Sequence, residues 1–390
     1  MTTQPVIVVN QNTPRVVETF APLGSVRALR SEQVTRDAVR DADILIVRSE
    51  TRVNKELLEG STVRFVGTVT IGTDHIDTGY LASRGIRFAN APGCNANSVA
   101  EYCAAALLVW SQRIGEPLKG KTLGVVGVGN VGSKVVRVGE ILGMNVLLND
   151  PPRAKQNGGT SFLPLDRLMD ADVITLHVPL TKTGPDATYH LLDEARIRQM
   201  KEGSVLMNTS RGQVVDSVGL RSALFSRHLS NAILDVWEGE PRIETGLLDK
   251  VMIGTPHIAG YSLDGKLNAV RMVYEEVCSF LGTAPQWKDD SSLKDSPPPV
   301  IRVDDSVATP ESIAHDAVRQ AYDIELDDYM LRKIMAFPPA DQGAYFRKLR
   351  AEYRTRREFV HRIVELSADQ APARAVLGKL GFSVEVRETV

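Results

Sequence analysis

The chain has 390 residues, a net charge of −2 and 24% charged residues. That length exceeds what one hydrophobic core supports, so two or three domains are expected, and the near-neutral balance argues against nucleic acid or a membrane surface as partner. No apolar run reaches membrane-spanning length, and Met1-Thr-Thr-Gln-Pro5 lacks a basic-then-apolar leader, so a cytoplasmic protein is expected. The three cysteines, Cys94, Cys103 and Cys278, show neither metal spacing nor a disulfide framework, which suits a reducing compartment. Cys94 reads as a small buried residue rather than a reactive thiol.

Residues 1–90 alternate short apolar runs with helical patterns. Val6–Val9, Ile44–Val47, Phe65–Val69 and Ile86–Ala89 read as strands. Pro14–Pro22, Ser31–Arg40, Asn54–Glu59 and Ile76–Arg84 read as helical or partly helical. This alternation predicts a parallel sheet covered by helices. Two polar loops follow predicted strands, Arg48-Ser49-Glu-Thr51 and Thr68-Val-Thr70-Ile-Gly72-Thr73-Asp74-His75. Ligands of open α/β sheets sit beyond the carboxyl ends of strands, so these loops read as a substrate side. Ordinary strand-to-helix caps rich in Ser and Thr would look the same.

Ser98–Ser111 is a strongly apolar helix expected to lead into a second domain. There Thr122–Val126 runs into Gly127-Val-Gly129-Asn130-Val131-Gly132, then a helical pattern, then Asn145–Leu148 and Asp150. Strand, glycine turn, helix, strand and acid form the dinucleotide-binding fingerprint. Gly127 makes the turn, Gly129 lets a pyrophosphate approach the backbone, Gly132 lets helix pack on strand, and the helix N-terminus faces the anion. Asp150 stands where a carboxylate would hold the ribose hydroxyls and repel a 2′-phosphate, favouring NAD over NADP. A turn acid before Pro151-Pro152 is the plainer reading of Asp150.

Further strands are expected at Val173–Val178, Val205–Thr209, Ala232–Val236 and Met252–Thr255, with helices at Asp193–Met200 and Ser217–Phe225. The helix Asp264–Leu281 should return to the first domain. The expected architecture is α/β: two Rossmann-like domains, a flavodoxin-like substrate domain (residues 1–97, completed by the helix at about 264–285) with an inserted NAD-binding domain (98–263). A linker (286–299) then leads to a C-terminal α+β domain (300–390). In that last part Thr309-Pro-Glu opens a helix, Asp341–Tyr353 and Ala371–Leu380 form others, and Val360–Leu366 and Phe382–Val386 read as strands.

Three predicted strand ends carry reactive side chains: Arg211 in Asn208-Thr209-Ser210-Arg211-Gly, Glu240 in Asp235-Val-Trp-Glu-Gly-Glu-Pro241, and His257 in Thr255-Pro-His-Ile-Ala-Gly260. Parallel strands would bring them to one sheet edge. The set suits oxidation of a hydroxy acid: a neutral His takes the hydroxyl proton, a carboxylate orients it, and an arginine binds the substrate carboxylate. Taken singly, a surface ion pair, a turn acid and a structural histidine are the plainer readings. No zinc or magnesium spacing appears, so no metal is expected.

These segments resemble the D-2-hydroxyacid dehydrogenase family, whose catalytic arginine, glutamate and histidine fall on Arg211, Glu240 and His257. Val47-Arg-Ser49, Gly72-Thr-Asp-His75, Ala91-Pro-Gly-Cys-Asn95, Tyr353-Arg-Thr-Arg-Arg-Glu-Phe359 and Gly378-Lys-Leu-Gly-Phe382 carry a narrower likeness, to members that act on 4-phospho-D-erythronate in pyridoxal 5′-phosphate biosynthesis. The resemblance implies NAD as cofactor and a homodimer built through the C-terminal domain. It places substrate contacts at Ser49, Thr70 and Tyr261. It places cofactor contacts in the glycine turn and at Asp150, Val178, Thr209, Ser210, Arg211, Asp235 and Gly260. Val178 departs from the family's usual threonine, so only a backbone contact to cofactor is expected there. A related dehydrogenase of 3-phosphoglycerate or glyoxylate, and a non-catalytic NAD-sensing protein on the same fold, are the alternatives. A phosphorylated substrate needs cations at its far end. Arg48 is one candidate. In the cluster Arg347, Lys348, Arg350, Arg354, Arg356, Arg357 and Arg362, the first three read as a solvated helix face. Arg356 or Arg357 is expected to reach the phosphate in a partner subunit.

Overall fold

A computed structural model describes residues 4–156, 161–287, 298–304 and 309–387. The chain divides into two compact units, Met1–Asn95 with Ser262–Leu293, and Ala96–Tyr261 with Lys294–Val390.

The first unit holds a five-stranded parallel sheet of β1 (Val6–Asn10), β2 (Ser25–Leu29), β3 (Ile44–Val47), β4 (Phe65–Thr68) and β5 (Arg87–Ala89), in the order β2-β1-β3-β4-β5. This is the flavodoxin-like order. β3 and β4 are buried along their whole length, as strands covered on both faces must be. Helix Leu263–Leu281 returns to this unit and lays Val270, Val273 and Val277 on Ile7, Ile46 and Phe65. The contact is close enough to require glycine in β4, since a Cβ on Gly67 would stand 2.6 Å from Val273 Cγ1. Ser262 caps the helix by accepting from the Gly265 amide, and Gly282, at φ +69°, ends it.

Two expectations fail here. β2 was not expected. It is a short edge strand with no fully buried residue, so it carries little apolar pattern. The helix expected at Ser31–Arg40 is only a 3-10 turn, Ser31–Gln33, followed by turns that bury Val34 and Val39. Adjacent β-branched Val34 and Thr35 disfavour a continued helix.

The second unit centres on a six-stranded parallel sheet. Its strands are β6 (Thr122–Val126), β7 (Asn145–Asn149), β8 (Val173–Leu176), β9 (Val205–Asn208), β10 (Asn231–Leu234) and β11 (Ile253–Gly254), in the order β11-β10-β9-β8-β6-β7. The chain leaves β6 toward β7 and returns to the other side of β6 with β8. The order therefore reverses at β6 and β8, where ligands of doubly wound sheets bind. Helix Ala96–Ile114 buries nearly all its residues against this sheet's core.

The C-terminal segment is α+β, as expected. β12 (Val300–Arg302), β13 (Ile363–Leu366) and β14 (Ser383–Val386) form a parallel sheet. Thr309 caps helix Pro310–Ala321, and helices Ile324–Arg332, Pro339–Ala351 and Ala371–Leu380 follow. Ile301, Ile313, Val364 and Phe382 share one core with Leu107 and Val135, so the segment belongs to the second unit rather than standing apart. Most of the expected linker, residues 288–297, lies outside the described residues. Among the described residues no helix is long and apolar enough to cross a membrane. No disulfide joins Cys94, Cys103 or Cys278, and burial pushes the Cys103 thiol up to about 12.

Candidate active site

At the end of β6 the glycine turn has the form a dinucleotide needs. Gly127 sits at φ +83°, donates to the Asn149 carbonyl at 2.8 Å, and has no room for a side chain against Val178 and the His177 carbonyl. A Cβ on Gly132 would lie 1.9 Å from the Gly127 carbonyl oxygen. A Cβ on Gly129 would meet nothing within 4 Å. Two glycines are thus required by the fold, while Gly129 leaves bare backbone facing open space beside exposed Asn130 and half-buried Val131. Helix Gly132–Ile141 starts there, with its amide end toward that space. A pyrophosphate fits this cradle.

Asp150, at the end of β7, caps the same turn. Its Oδ2 accepts from the Val128 amide at 2.8 Å and its Oδ1 from the Arg153 amide at 3.0 Å. Each carboxylate oxygen has a second lone pair, so ribose hydroxyls can share it. Arg153 donates back to the Val128 carbonyl and braces the turn. The sequence reading did not single it out.

At the end of β8, His177 accepts or donates between Thr175 Oγ1 (2.9 Å) and Thr209 Oγ1 (3.1 Å). Burial drives its pKa down to about 3, so it stays neutral and holds Thr209 in place. At the end of β9, Asn208 organises the arginine turn. Its Oδ1 accepts from the Ser210 amide and hydroxyl at 3.0 and 2.8 Å, and its Nδ2 donates to the Arg211 carbonyl at 2.9 Å. Gly212 lets this turn press on the next one, because a Cβ there would fall 2.0 Å from the Trp237 carbonyl carbon. Arg211 itself is half-buried and donates to the Ser210 carbonyl at 2.8 Å.

The turns after β10 and β11 are tied together by Asp235, which is 1% exposed. Its Oδ1 accepts from Thr255 Oγ1 and the Ile258 amide, both at 2.7 Å, and its Oδ2 from the Ala259 amide at 3.0 Å. Its carbonyl accepts from the His257 amide at 2.7 Å. This side chain is a post inside the histidine turn, a part the resemblance did not assign to it. Held so, His257 adopts φ +58°, a conformation an L-residue reaches only where its surroundings enforce it.

His257 Nδ1 lies 2.8 Å from Glu240 Oε2, and Glu240 Oε1 accepts from the Trp237 amide at 2.7 Å. Burial alone would raise the Glu240 carboxyl. The facing His257, the Trp237 amide and, beyond them, Arg350 outweigh it and hold the carboxyl below its usual range. An ionised carboxylate only accepts, so the imidazole hydrogen sits on Nδ1 and Nε2 keeps a lone pair. Both side chains remain partly exposed, at 32% and 21%. Arg211, Glu240 and His257 thus stand beyond the carboxyl ends of β9, β10 and β11, as expected.

Tyr261 closes the same turn, its amide donating to the Ile258 carbonyl at 2.8 Å past Gly260. Its hydroxyl accepts from Arg350 Nη2 at 2.9 Å. The sequence reading left Arg350 on a solvated face, and the structure turns it inward. The converse holds for Arg356. Its guanidinium is buried, donates to the Ala259 and Ser98 carbonyls at 3.1 and 2.6 Å, faces Glu101 at 3.6 Å and lies 3.8 Å over the Tyr322 ring. These contacts tie Arg356 to the Ala259 carbonyl of its own histidine turn. Arg357 is buried as well, at 7% exposed.

In the first unit the two polar loops follow β3 and β4. Ser49 is exposed and Arg48 Nη1 donates to the Asn12 carbonyl at 3.3 Å. Thr70 Oγ1 is 2.8 Å from Thr68 Oγ1 and donates to the Gly72 carbonyl at 2.9 Å, while His75 Nε2 is 2.9 Å from Thr68 Oγ1. Burial, then the nearby Arg48, lowers the Lys266 pKa. Among the described residues one trio has metal-ligand character, His190, Asp216 and Glu238, which sequence spacing did not show. Its members are already engaged: His190 Nε2 with Glu238 Oε1 at 2.9 Å, and Asp216 Oδ1 with the Val218 amide at 3.0 Å.

The family described as D-isomer specific 2-hydroxyacid dehydrogenase, NAD binding domain, matches residues 102–259, and a domain of unknown function matches residues 296–381. The chain is 44% identical over 359 residues to erythronate-4-phosphate dehydrogenase of Salinibacter ruber, covering 90% of this chain and 92% of that one. It is 43% identical over 377 residues to the enzyme of that name from Pseudomonas syringae pv. syringae, covering 96% and 98%. Among solved structures, D-lactate dehydrogenase from Aquifex aeolicus with NAD and lactic acid has a TM-score of 0.58 at 28% identity, over 71% of this chain and 95% of that one. NAD-bound 3-phosphoglycerate dehydrogenase of Entamoeba histolytica has a TM-score of 0.62 at 26% identity, over 72% and 96%.

Proposed function

The chain belongs to the D-isomer specific 2-hydroxyacid dehydrogenase family, and we propose that it oxidises 4-phospho-D-erythronate to 2-oxo-3-hydroxy-4-phosphobutanoate with NAD, within pyridoxal 5′-phosphate biosynthesis. The observation that carries the chemistry is the 2.8 Å contact of His257 Nδ1 with Glu240 Oε2 on the sheet edge that also bears the glycine turn. The choice of substrate follows the name shared by relatives that match nearly the whole chain.

Bound NAD supplies the hydride acceptor at the C2 carbon. His257 Nε2 takes the proton of the C2 hydroxyl. Glu240 keeps the imidazole in the tautomer that leaves Nε2 basic and stabilises the imidazolium as it forms. Arg211 pairs with the substrate carboxylate through a planar fork and draws charge from the growing carbonyl. Gly127, Gly129 and Gly132 hold the pyrophosphate and Asp150 the ribose, which favours NAD over NADP. Ser49 and Thr70 are the substrate contacts that the family resemblance implies, and Arg48 is a further candidate. The working form is a homodimer assembled through the C-terminal segment, in the cytoplasm.

The test is a panel of substrates with NAD⁺, scored by NADH formation: 4-phospho-D-erythronate, 3-phosphoglycerate and D-erythronate. The expected outcome is the highest kcat/KM on the first. Preference for 3-phosphoglycerate would move the assignment elsewhere in the family. NAD binding with no turnover on any of them would favour a nucleotide-sensing protein.

A further inference from the structure

We propose that Arg350, carried by helix Pro339–Ala351 of the C-terminal segment, is the residue that recognises the phosphate end of the substrate, in its own subunit and beside Tyr261. The proposal rests on the reaction assigned above and names the residue that makes it specific for a phosphorylated acid.

The helix that carries Arg350 buries Gly343 and Phe346. Arg350 follows Phe346 by four positions and so shares its inward face. Arg347 and Lys348 point to solvent. Arg350 Nη2 donates to Tyr261 Oη at 2.9 Å, and its guanidinium carbon lies 5.5 Å from the Tyr261 ring centroid. Tyr261 is four residues from His257 on the turn that Asp235 anchors. The C-terminal segment thereby places a cation against the turn that carries the catalytic histidine.

A guanidinium offers five N–H donors. Among the described residues, the hydrogen bond to Tyr261 is the one this guanidinium makes, and its Nε is buried without a partner. Burial opposes the charge, but Tyr261 and Glu240 outweigh it, so the group stays cationic. A buried cation with unused, forked donors is costly unless an anion completes it. Two neighbouring arginines are committed elsewhere. Arg354 pairs with Asp327 and donates to the Asp323 carbonyl, and Arg356, whose Nε is also without a partner, is buried with both terminal nitrogens on the Ala259 and Ser98 carbonyls and Glu101 alongside.

Arg211 answers the substrate carboxylate. A 2-hydroxy acid with a phosphate at its other end brings a second anion, and Arg350 is a second cation, set by its helix against the turn that carries His257. Its planar fork suits phosphate oxygens, with the Tyr261 hydroxyl as a further donor once its own acceptor role is filled.

The test compares Arg350→Met and Arg350→Lys with wild type on 4-phospho-D-erythronate and on D-erythronate. The ratio of the two kcat/KM values should fall about 10–100-fold in Arg350→Met, chiefly through KM for the phosphorylated compound, and less in Arg350→Lys. NADH affinity and melting temperature report on folding. If Arg350→Met does not fold, Arg350→Lys carries the test. An unchanged ratio, or equal losses on both substrates, overturns the proposal. A wild type with no preference for the phosphorylated compound overturns the reaction assignment instead. Inhibition by inorganic phosphate then decides for Arg350: its loss in the variants supports the anion site, and its persistence ends it.

Discussion

The turn after β6 and the turn after β11 lie along one edge of the same parallel sheet, and their backbones are treated in opposite ways. The first is emptied. Gly129 has open space where a side chain would stand, and the amides of the following helix face outward. The second is filled. Asp235 ties down the Thr255 hydroxyl and the amides of Ile258 and Ala259, and His257 is held at φ +58°. A dinucleotide brings its own shape and charge, so its site needs bare backbone. A proton acceptor must be aimed before the substrate arrives, so its site needs internal bonds. Binding and reaction are thus separable along the edge, and substitutions in each turn should have different signatures.

The largest effect is expected at the filled turn. His257→Ala should lower kcat about 10²–10⁴-fold, roughly 3–5 kcal/mol in the barrier, while NAD affinity stays near wild type. Steady-state kinetics beside NADH titration checks it. Asp235→Ala leaves three donors of that turn without an acceptor. It should cost about 3 kcal/mol or more of stability and reduce turnover more than NAD binding, as seen in denaturant melts and the same two assays.

Between the two turns, just past the end of β8, His177 gives a pH signature. Its folded pKa, about 3, lies below the ordinary 6.5. A depressed value means that the unfolded chain takes the proton first. Its contribution is therefore intact above about pH 6.5 and is lost as pH falls from there toward 3. At pH 4 the loss reaches at most about 3 kcal/mol. Urea melts at pH 7 and pH 4 should show a smaller drop for His177→Gln than for wild type. Within the emptied turn, Gly132→Ala forces a Cβ against the Gly127 carbonyl and should cost about 1–3 kcal/mol of stability. Gly129→Ala should leave stability unchanged and weaken NAD alone. Parallel melts and titrations separate the pair.

Much of this edge was readable from residue order. β-branched runs that end in glycine, arginine or histidine mark buried parallel strands and the turns at their carboxyl ends, and parallel strands must present those ends together. Asp235 was visible as a residue but not as a post, because its three partners come from a different strand end. β2 was missed because an edge strand need not be apolar. Arg350 was misplaced because a run of Arg, Lys, Leu and Arg does not say which side of a helix is covered. Its distance of four from Phe346 was the available signal, and it became decisive only once Phe346 was seen to be buried.

The separation of binding from reaction is tested most directly by Glu240→Gln, which keeps the shape of the carboxylate and removes its charge from His257. Single-turnover NADH formation from 4-phospho-D-erythronate and NAD⁺ titration would be measured on the same preparations. A slower chemical step, less severe than in His257→Ala, with NAD affinity unchanged is the expected result. A parallel loss of NAD binding, or an unchanged chemical step, would contradict the account.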